Sequence, residues 1–237
     1  MAGKTRGFLL EKNSKSGDAG TFTTIDYPGS VRTQARAIAP NGEIVGTYRR
    51  AGEPAVNAHG FRLTRKGAFV DVDYPGAINN IPQRILPDGT ILGCRHDNDF
   101  MASMRGVAIG RRGNEEFAEF ASMHNGATPD LRRITGLYTD MLSGQSRGYL
   151  IDDGVFTPLM VPGSTETSAW DMNPKGEIVG AYRNAAGLHG FLLTADGYRS
   201  IDVSAATSSR AYGINPTGDI VGEFVMGGRT HGFVATR

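Results

Sequence analysis

The sequence predicts an all-β protein, a five-bladed β-propeller with four antiparallel strands per blade, and three observations carry that reading. A basic residue, then Gly, then an aromatic or apolar residue recurs as Arg6-Gly7-Phe8, His59-Gly60-Phe61, Arg105-Gly106-Val107, Arg147-Gly148-Tyr149, His189-Gly190-Phe191 and His231-Gly232-Phe233. The marker glycines stand 53, 46, 42, 42 and 42 residues apart, so five intervals describe five copies of one supersecondary unit. Each copy holds four short apolar runs in fixed order, separated by Pro- and Gly-bearing joints.

Taken in order, the first run is the marker segment, as in His59-Gly60-Phe61-Arg62-Leu63. The second is Phe22 to Asp26, echoed by Phe69 to Asp73, Phe117 to Ala121, Phe156 to Met160 and Tyr198 to Asp202. The third ends at Ile38, Ile85, Ile134, Met172 and Ile214. The fourth is Glu43 to Gly46, with Thr90 to Gly93, Glu177 to Gly180 and Asp219 to Gly222 as counterparts. Rich in Val, Ile, Phe and Tyr, these runs have strand length and strand chemistry and are too short for helices.

The joints are equally specific. Pro40-Asn41-Gly42, Pro87-Asp88-Gly89, Pro174-Lys175-Gly176 and Pro216-Thr217-Gly218 separate the third run from the fourth. Pro presets φ for the first central turn position and Gly accepts positive φ before the return strand, so each triplet predicts a tight hairpin. Tyr27-Pro28-Gly29, Tyr74-Pro75-Gly76 and Val161-Pro162-Gly163 follow the second run and fit type II turns. The third copy departs from the pattern: the Pro-x-Gly hairpin is missing around Leu131 to Met141, and Ser122 to Asp130 has no counterpart. The second copy carries an irregular segment, Cys94 to Phe100. Repeat arrays place binding loops where copies diverge, with sequence drift as the alternative.

A four-stranded blade cannot bury both faces alone, and radial placement lets each blade cover the next. The expected organisation is one domain, 1–237, with copies at about 6–58, 59–104, 105–146, 147–188 and 189–230, and 231–237 closing the ring. The terminal segments are expected to meet in or beside one blade.

Composition narrows the function classes. With 25 basic and 24 acidic side chains the net charge is +1, and no segment concentrates Lys and Arg, so neither nucleic acid nor a membrane is an expected partner. A single Cys excludes an internal disulfide framework and a Cys-rich zinc site. The only apolar run near the start, Gly7 to Leu10, is too short for a signal-peptide core. The chain as given is expected to be soluble, cytoplasmic or exported with its signal removed.

The repeat resembles the bacterial HAF repeat, a His-Ala-Phe triplet followed by an Ile-Asn…Gly-x-Ile-Val-Gly hairpin. Gly replaces Ala in His59-Gly60-Phe61, His189-Gly190-Phe191 and His231-Gly232-Phe233, and the hairpin is matched best at Ile214 to Gly222. The resemblance covers nearly the whole chain and is weakest at 94–140. It implies a propeller-like array, often in exported proteins, and no agreed activity or catalytic residues.

Standard catalytic signatures are absent, so chemistry must come from constellations that the ring assembles. Around the array the marker position reads His59, Arg105, Arg147, His189 and His231. If it faces a central channel, His59, His189 and His231 converge from consecutive blades as a three-imidazole set for a divalent transition metal, zinc being the expected ion. Arg105 and Arg147 would then stabilise negative charge developing on an ester, lactone or phosphoester attacked by metal-activated water. The alternative is structural, each marker bonding a neighbouring blade, with Asp26, Asp73 and Asp202 as partners. Those aspartates also suit acid–base work on a glycosidic bond or the capping of turns. Cys94, His96, Asp97 and Asp99 form a mixed donor cluster or a solvated loop. His124 stands alone, and Trp170 and Tyr212, in register, suit sugar stacking or packing between blades. The reading taken is a metal-dependent hydrolase acting on a small molecule at the axial mouth. The alternatives are a lectin-like propeller taking small sugars and a protein-interaction scaffold.

Overall fold

A computed structural model describes residues 4–11, 20–110, 113–117 and 120–236. They fall into two compact units, Met1–Glu115 and Glu116–Arg237. The first holds a two-stranded sheet, β1 (Gly7–Glu11) and β2 (Thr21–Ile25), and two four-stranded sheets. One is β3 (Ser30–Ile38), β4 (Ile44–Arg50), β5 (His59–Leu63) and β6 (Phe69–Asp71). The other is β7 (Asn79–Ile85), β8 (Ile91–His96), β9 (Arg105–Gly110) and β10 (Gly113–Phe117), with a short helix α1 (Phe100–Ser103) between β8 and β9.

The second unit repeats the arrangement. Its first sheet is β11 (Ser122–Ala127), β12 (Arg133–Thr139), β13 (Ser146–Asp152) and β14 (Val155–Leu159). The next is β15 (Glu166–Met172), β16 (Ile178–Asn184), β17 (Gly187–Thr194) and β18 (Gly197–Ile201). A three-stranded sheet follows, β19 (Ser208–Ile214), β20 (Ile220–Met226) and β21 (Arg229–Ala235), joined to its predecessor by one parallel bridge, Leu188 to Ser208. All other pairings within these sheets are antiparallel between strands adjacent in sequence.

Each four-stranded sheet opens with the run that precedes the hairpin, and the marker strand is third. Sheet boundaries are thus offset from the expected repeat boundaries, because a periodic sequence has no intrinsic starting point. The N-terminal marker opens β1, which pairs with β2, and β21 ends its sheet. Ring closure predicts that the terminal segments meet in or beside one blade; among the described residues no strand pairing joins them in one sheet.

Sequence chemistry explains the shared geometry. The first strand of each sheet bulges, between Ala35 and Ala37, Pro82 and Arg84, His124 and Gly126, Ala169 and Asp171, and Ala211 and Gly213. Opposite the bulge stands one glycine of the second strand: Gly46, Gly93, Gly136, Gly180 or Gly222. A Cβ there would lie 1.9–2.1 Å from a first-strand carbonyl oxygen. In four sheets it would also strike the marker aromatic, Phe61, Tyr149, Phe191 or Phe233, which pairs across from it. The aromatic lies over the bare backbone and fills the core: Phe61, Tyr149 and Phe191 are fully buried.

The turns follow the expected chemistry. Gly42, Gly89, Gly176 and Gly218 have φ of 85°, 87°, 80° and 97°. After β2, β6 and β14, Gly29, Gly76 and Gly163 adopt positive φ, and Ala205 takes that place before β19 at 62°. A polar side chain on the next strand accepts the turn's backbone N–H. Thr33 receives Tyr27 N (3.0 Å), Asn80 receives Tyr74 N (2.7 Å), Thr167 receives Val161 N (3.2 Å) and Ser209 receives Val203 N (3.2 Å).

The third copy proves more regular than its sequence suggests. Ser122–Ala127 is β11, an ordinary first strand, and Ile134 lies on the second strand instead of ending the first. The hairpin is Pro129-Asp130-Leu131, with Leu131 at φ 61° where the other copies have Gly, and its N–H donates to Thr128 O at 2.9 Å. The irregular segment of the second copy is regular only in part: Cys94 and His96 lie on β8 and are buried, while Asp97 to Asp99 leave the strand and lead into α1. The run expected at Phe117 to Ala121 is instead β10, Gly113–Phe117, and its residues 118 and 119 lie outside the described residues.

Two stability outcomes follow. A left-handed backbone costs a non-glycine residue about 1–2 kcal/mol, partly offset by the entropy that Gly loses on folding. Leu131→Gly is therefore expected to raise unfolding free energy by about 1 kcal/mol in a denaturant titration. Gly180→Ala, whose Cβ would lie 2.1 Å from Ser168 O, is expected to lower it by about 2–3 kcal/mol.

Candidate functional site

The marker position lies where the second strand ends and the third begins, and in four sheets it pairs across the ladder with an aromatic. Tyr48 faces His59, Tyr138 faces Arg147, Tyr182 faces His189 and Phe224 faces His231. The three imidazoles pack on these rings, with centroids 5.2, 5.1 and 5.1 Å apart. Such cross-strand pairs stabilise a sheet by about 0.2–1 kcal/mol each.

Further contacts fix each marker residue. His59 Nε2 bonds Glu53 Oε1 at 2.8 Å with Arg50 Nη1 3.3 Å away, and Nδ1 lies 3.8 Å from Asp73 Oδ2. His189 Nδ1 bonds Asp202 Oδ2 at 3.1 Å. Arg105 Nη1 donates to the carbonyls of Ala102 (2.9 Å) and Met104 (2.8 Å), closing the turn that holds α1. Arg147 donates to Thr165 O and lies 3.6 Å from Asp140 Oδ2, tying two turns together. The aspartate partners expected from sequence are present: Asp26 pairs with Arg6, Asp73 approaches His59, and Asp202 bonds His189. Burial works to raise the Asp26 carboxyl, but bonds from Lys4 and Arg6 hold it below the ordinary value. Asp73 Oδ1 also accepts the Gly60 N–H at 3.0 Å.

This donor chemistry does not fit the expected zinc set. His59 is held between a carboxylate and a guanidinium, His189 is committed to Asp202, and His231 lies exposed against Phe224. Among the described residues no group of three or more His, Cys, Asp or Glu is placed to hold a metal ion. Cys94 and His96 are fixed in the β8 ladder: burial pushes the Cys94 thiol up to about 12, and burial lowers His96, whose Nδ1 bonds Asp97 O at 2.8 Å.

Around His59 a polar network extends inward. Tyr27 and Tyr48 stack with centroids 3.6 Å apart, and both hydroxyls donate to Asp71 Oδ1, at 2.6 and 3.0 Å. Burial, aided by the bonds to Tyr27 and Asp71, raises Tyr48 above the ordinary phenol range, so it stays a donor.

Beside this network, between the sheet of β3–β6 and that of β7–β10, lies a cavity of about 220 Å³. Arg32, Gln34 and Arg36 reach it from β3, Tyr48 and Arg49 from β4, Asn57 from the following loop, and Ile81 and buried His96 from the next sheet. Among the described residues its lining contains no carboxylate. Arg32 Nη2 donates to Gln34 Oε1 at 2.8 Å and Arg49 Nη1 to Glu53 O at 3.1 Å, both neutral acceptors. Arg49 Nε and Asn57 Oδ1 are buried without a hydrogen-bond partner among the described residues. The sequence reading passed over these residues. Their signal was the period-two spacing of Arg32, Gln34 and Arg36 on a first strand, which puts polar groups where copies meet.

In the second unit His124, on β11, is buried and hydrogen-bonded through Nδ1 to the Tyr149 hydroxyl, which donates to Met123 O at 3.0 Å. Trp170 and Tyr212, at the bulges of β15 and β19, meet edge to face at 5.5 Å, the packing contact anticipated for them.

No protein-family model matches this chain, and no curated protein matches it by sequence. Solved structures do. A protein described as TolB from Agrobacterium tumefaciens aligns over 91% of this chain and 85% of its own, with TM-score 0.62 and 16% identity. The β-propeller domain of the Trilobed protease from Pyrococcus furiosus aligns over 92% and 81%, with TM-score 0.55 and 11% identity. The gluconolactonase XC5397 from Xanthomonas campestris aligns over 86% and 72%, with TM-score 0.50 and 11% identity. The fold is a β-propeller. At these identities the likeness speaks for fold alone, and the sheets are its blades. The cavity therefore lies between two blades of the first unit, and the marker residues sit at blade ends. Among the described residues no helix is long and apolar enough to cross a membrane.

Burial lowers the His124 imidazole from 6.5 to about 4. The folded value lies below the unfolded one, so the unfolded chain takes the proton first. The contribution is complete above about pH 6.5 and is lost as pH falls from there towards 4. Between pH 7 and pH 4.5, wild type is expected to lose about 2–3 kcal/mol more than His124→Gln in denaturant titrations.

Proposed function

We propose that this protein is a small-molecule-binding propeller whose ligand sits between two blades of the unit Met1–Glu115. The observation that carries this reading is a cavity of about 220 Å³ on which the polar side chains Arg32, Gln34, Arg36, Arg49 and Asn57 converge. Polar groups converging on one concave space can orient a small molecule held there. The five-bladed count belongs to the same reading, supported by five first-position strands, β3, β7, β11, β15 and β19. The marker triplets and the Ile-Asn…Gly-x-Ile-Val-Gly hairpin support HAF-type membership.

A second reading, hydrolysis of a small ester or lactone, is favoured by the fold shared with the Xanthomonas gluconolactonase. In this chain it would use the same cavity, with guanidinium groups stabilising negative charge as it develops on the carbonyl oxygen. Turnover of a lactone and ester panel, unaffected by chelator, would favour it over simple binding.

The binding reading is tested by thermal shift against a panel of neutral sugars, polyols and organic acids. A ligand at 100 times its Kd is expected to raise Tm by about 5–10 °C. Ala55→Trp, which fills the cavity mouth from an exposed loop position, should abolish the shift. Silence across the panel, or a shift that survives Ala55→Trp, would overturn the assignment.

A further inference from the structure

We infer that the inter-blade cavity of the first unit recognises a small hydroxylated oxyanion, a hydroxy acid or a sugar phosphate, through Arg32, Arg36 and Arg49. The inference rests on the binding reading above and names the chemistry of its ligand. Three guanidinium groups line one cavity of about 220 Å³, and among the described residues no Asp or Glu lines it with them. Like charges gathered in a partly desolvated space repel, and an anion among them turns that repulsion into attraction. Arg32 and Arg49 rest on an amide oxygen and a backbone carbonyl, and among the described residues neither pairs with a carboxylate. A guanidinium fork matches the oxygens of a carboxylate or phosphate, forming paired charge-assisted bonds.

Asn57 points to the rest of the ligand, because it lines the same cavity and an amide bonds a hydroxyl readily. A simple anion supplies only acceptors; a hydroxyl beside the anionic group gives the Asn57 amide a partner that can both donate and accept. The cavity has the liquid volume of about seven water molecules, which suits a molecule of sugar size and is small for a drug-sized one.

Calorimetric titration of the whole chain with D-gluconate, glycerol 3-phosphate, inorganic phosphate and D-glucose tests the inference. Binding of gluconate or glycerol 3-phosphate is expected, the better of the two identifying carboxylate or phosphate as the anionic group. Raised salt should weaken it, and Arg32→Gln and Arg49→Gln should each weaken it about tenfold. Asn57→Leu should weaken gluconate while leaving acetate unchanged, and circular dichroism confirms that each variant is folded. Glucose binding that is blocked by Ala55→Trp yet indifferent to Arg49→Gln would overturn the oxyanion assignment and leave the cavity's role standing. Inorganic phosphate binding as tightly as glycerol 3-phosphate would overturn the hydroxyl requirement. Absence of binding by all four at millimolar concentration would overturn the oxyanion inference, and the panel result would then decide the cavity's role separately.

Discussion

Close backbone approach at two glycine positions holds each repeat together. The second-strand glycine lets a bulged carbonyl and an aromatic ring occupy the space of a side chain. The marker glycine does the same between sheets. A Cβ on Gly60 would lie 2.0 Å from Val72 O and 2.8 Å from Pro82 of the following sheet, and one on Gly190 would lie 2.6 Å from Ile201 O and 3.3 Å from Ala211 N. Sheets meeting so closely exclude water from both faces, and apolar clusters form at the contacts. One gathers Ala39, Val45, Ile85 and Ile91 from two sheets of the first unit, and another gathers Val179, Leu192, Ala211 and Ile214 from two sheets of the second.

The rest of the marker follows from that approach. Its aromatic residue covers the glycine across the ladder, which places the preceding basic residue beside the aromatic at the second strand's end. An imidazole in that position packs on the ring in three sheets, and His59, Arg147 and His189 reach an Asp or Glu from an adjoining turn. His and Arg therefore exchange at the position without loss of fold, because either supplies a planar group and a hydrogen-bond donor. The second blade shows the limit of the rule. Arg105 faces Arg95 instead of an aromatic, and its guanidinium turns to the carbonyls that close α1.

The cavity is a by-product of the same stacking. Where the sheets of β3–β6 and β7–β10 meet, first- and second-strand residues of both line a gap, and their chemistry decides whether it closes. In the second unit the first-strand bulges carry Trp170 and Tyr212, which fill the space by packing on each other. In the first unit the corresponding bulge residue is Arg36, which donates to Gln83 at 3.1 Å, and the polar space beside it stays open. Charge that cannot pack apolar surface keeps a pocket where an aromatic pair removes one.

The all-β class, the order of runs and most turns were legible in the sequence, because each rests on contacts within a few residues. Pro40-Asn41-Gly42 states its own turn, and the marker spacing states the repeat. Local chemistry failed where a residue of the wrong type was held by its surroundings: Leu131 adopts the glycine conformation because β11 and β12 pair on either side of it. The site lay beyond such reading. Three histidines at one position of the repeat resemble a ligand set on paper, yet that position does not say whether an imidazole points at a common axis or at the ring across its own ladder. Arg32, Arg49 and Asn57 look like ordinary polar surface in the chain. Their significance arises when a second sheet closes over them, for burial and the loss of partners are properties of packed neighbours, which only the tertiary structure supplies.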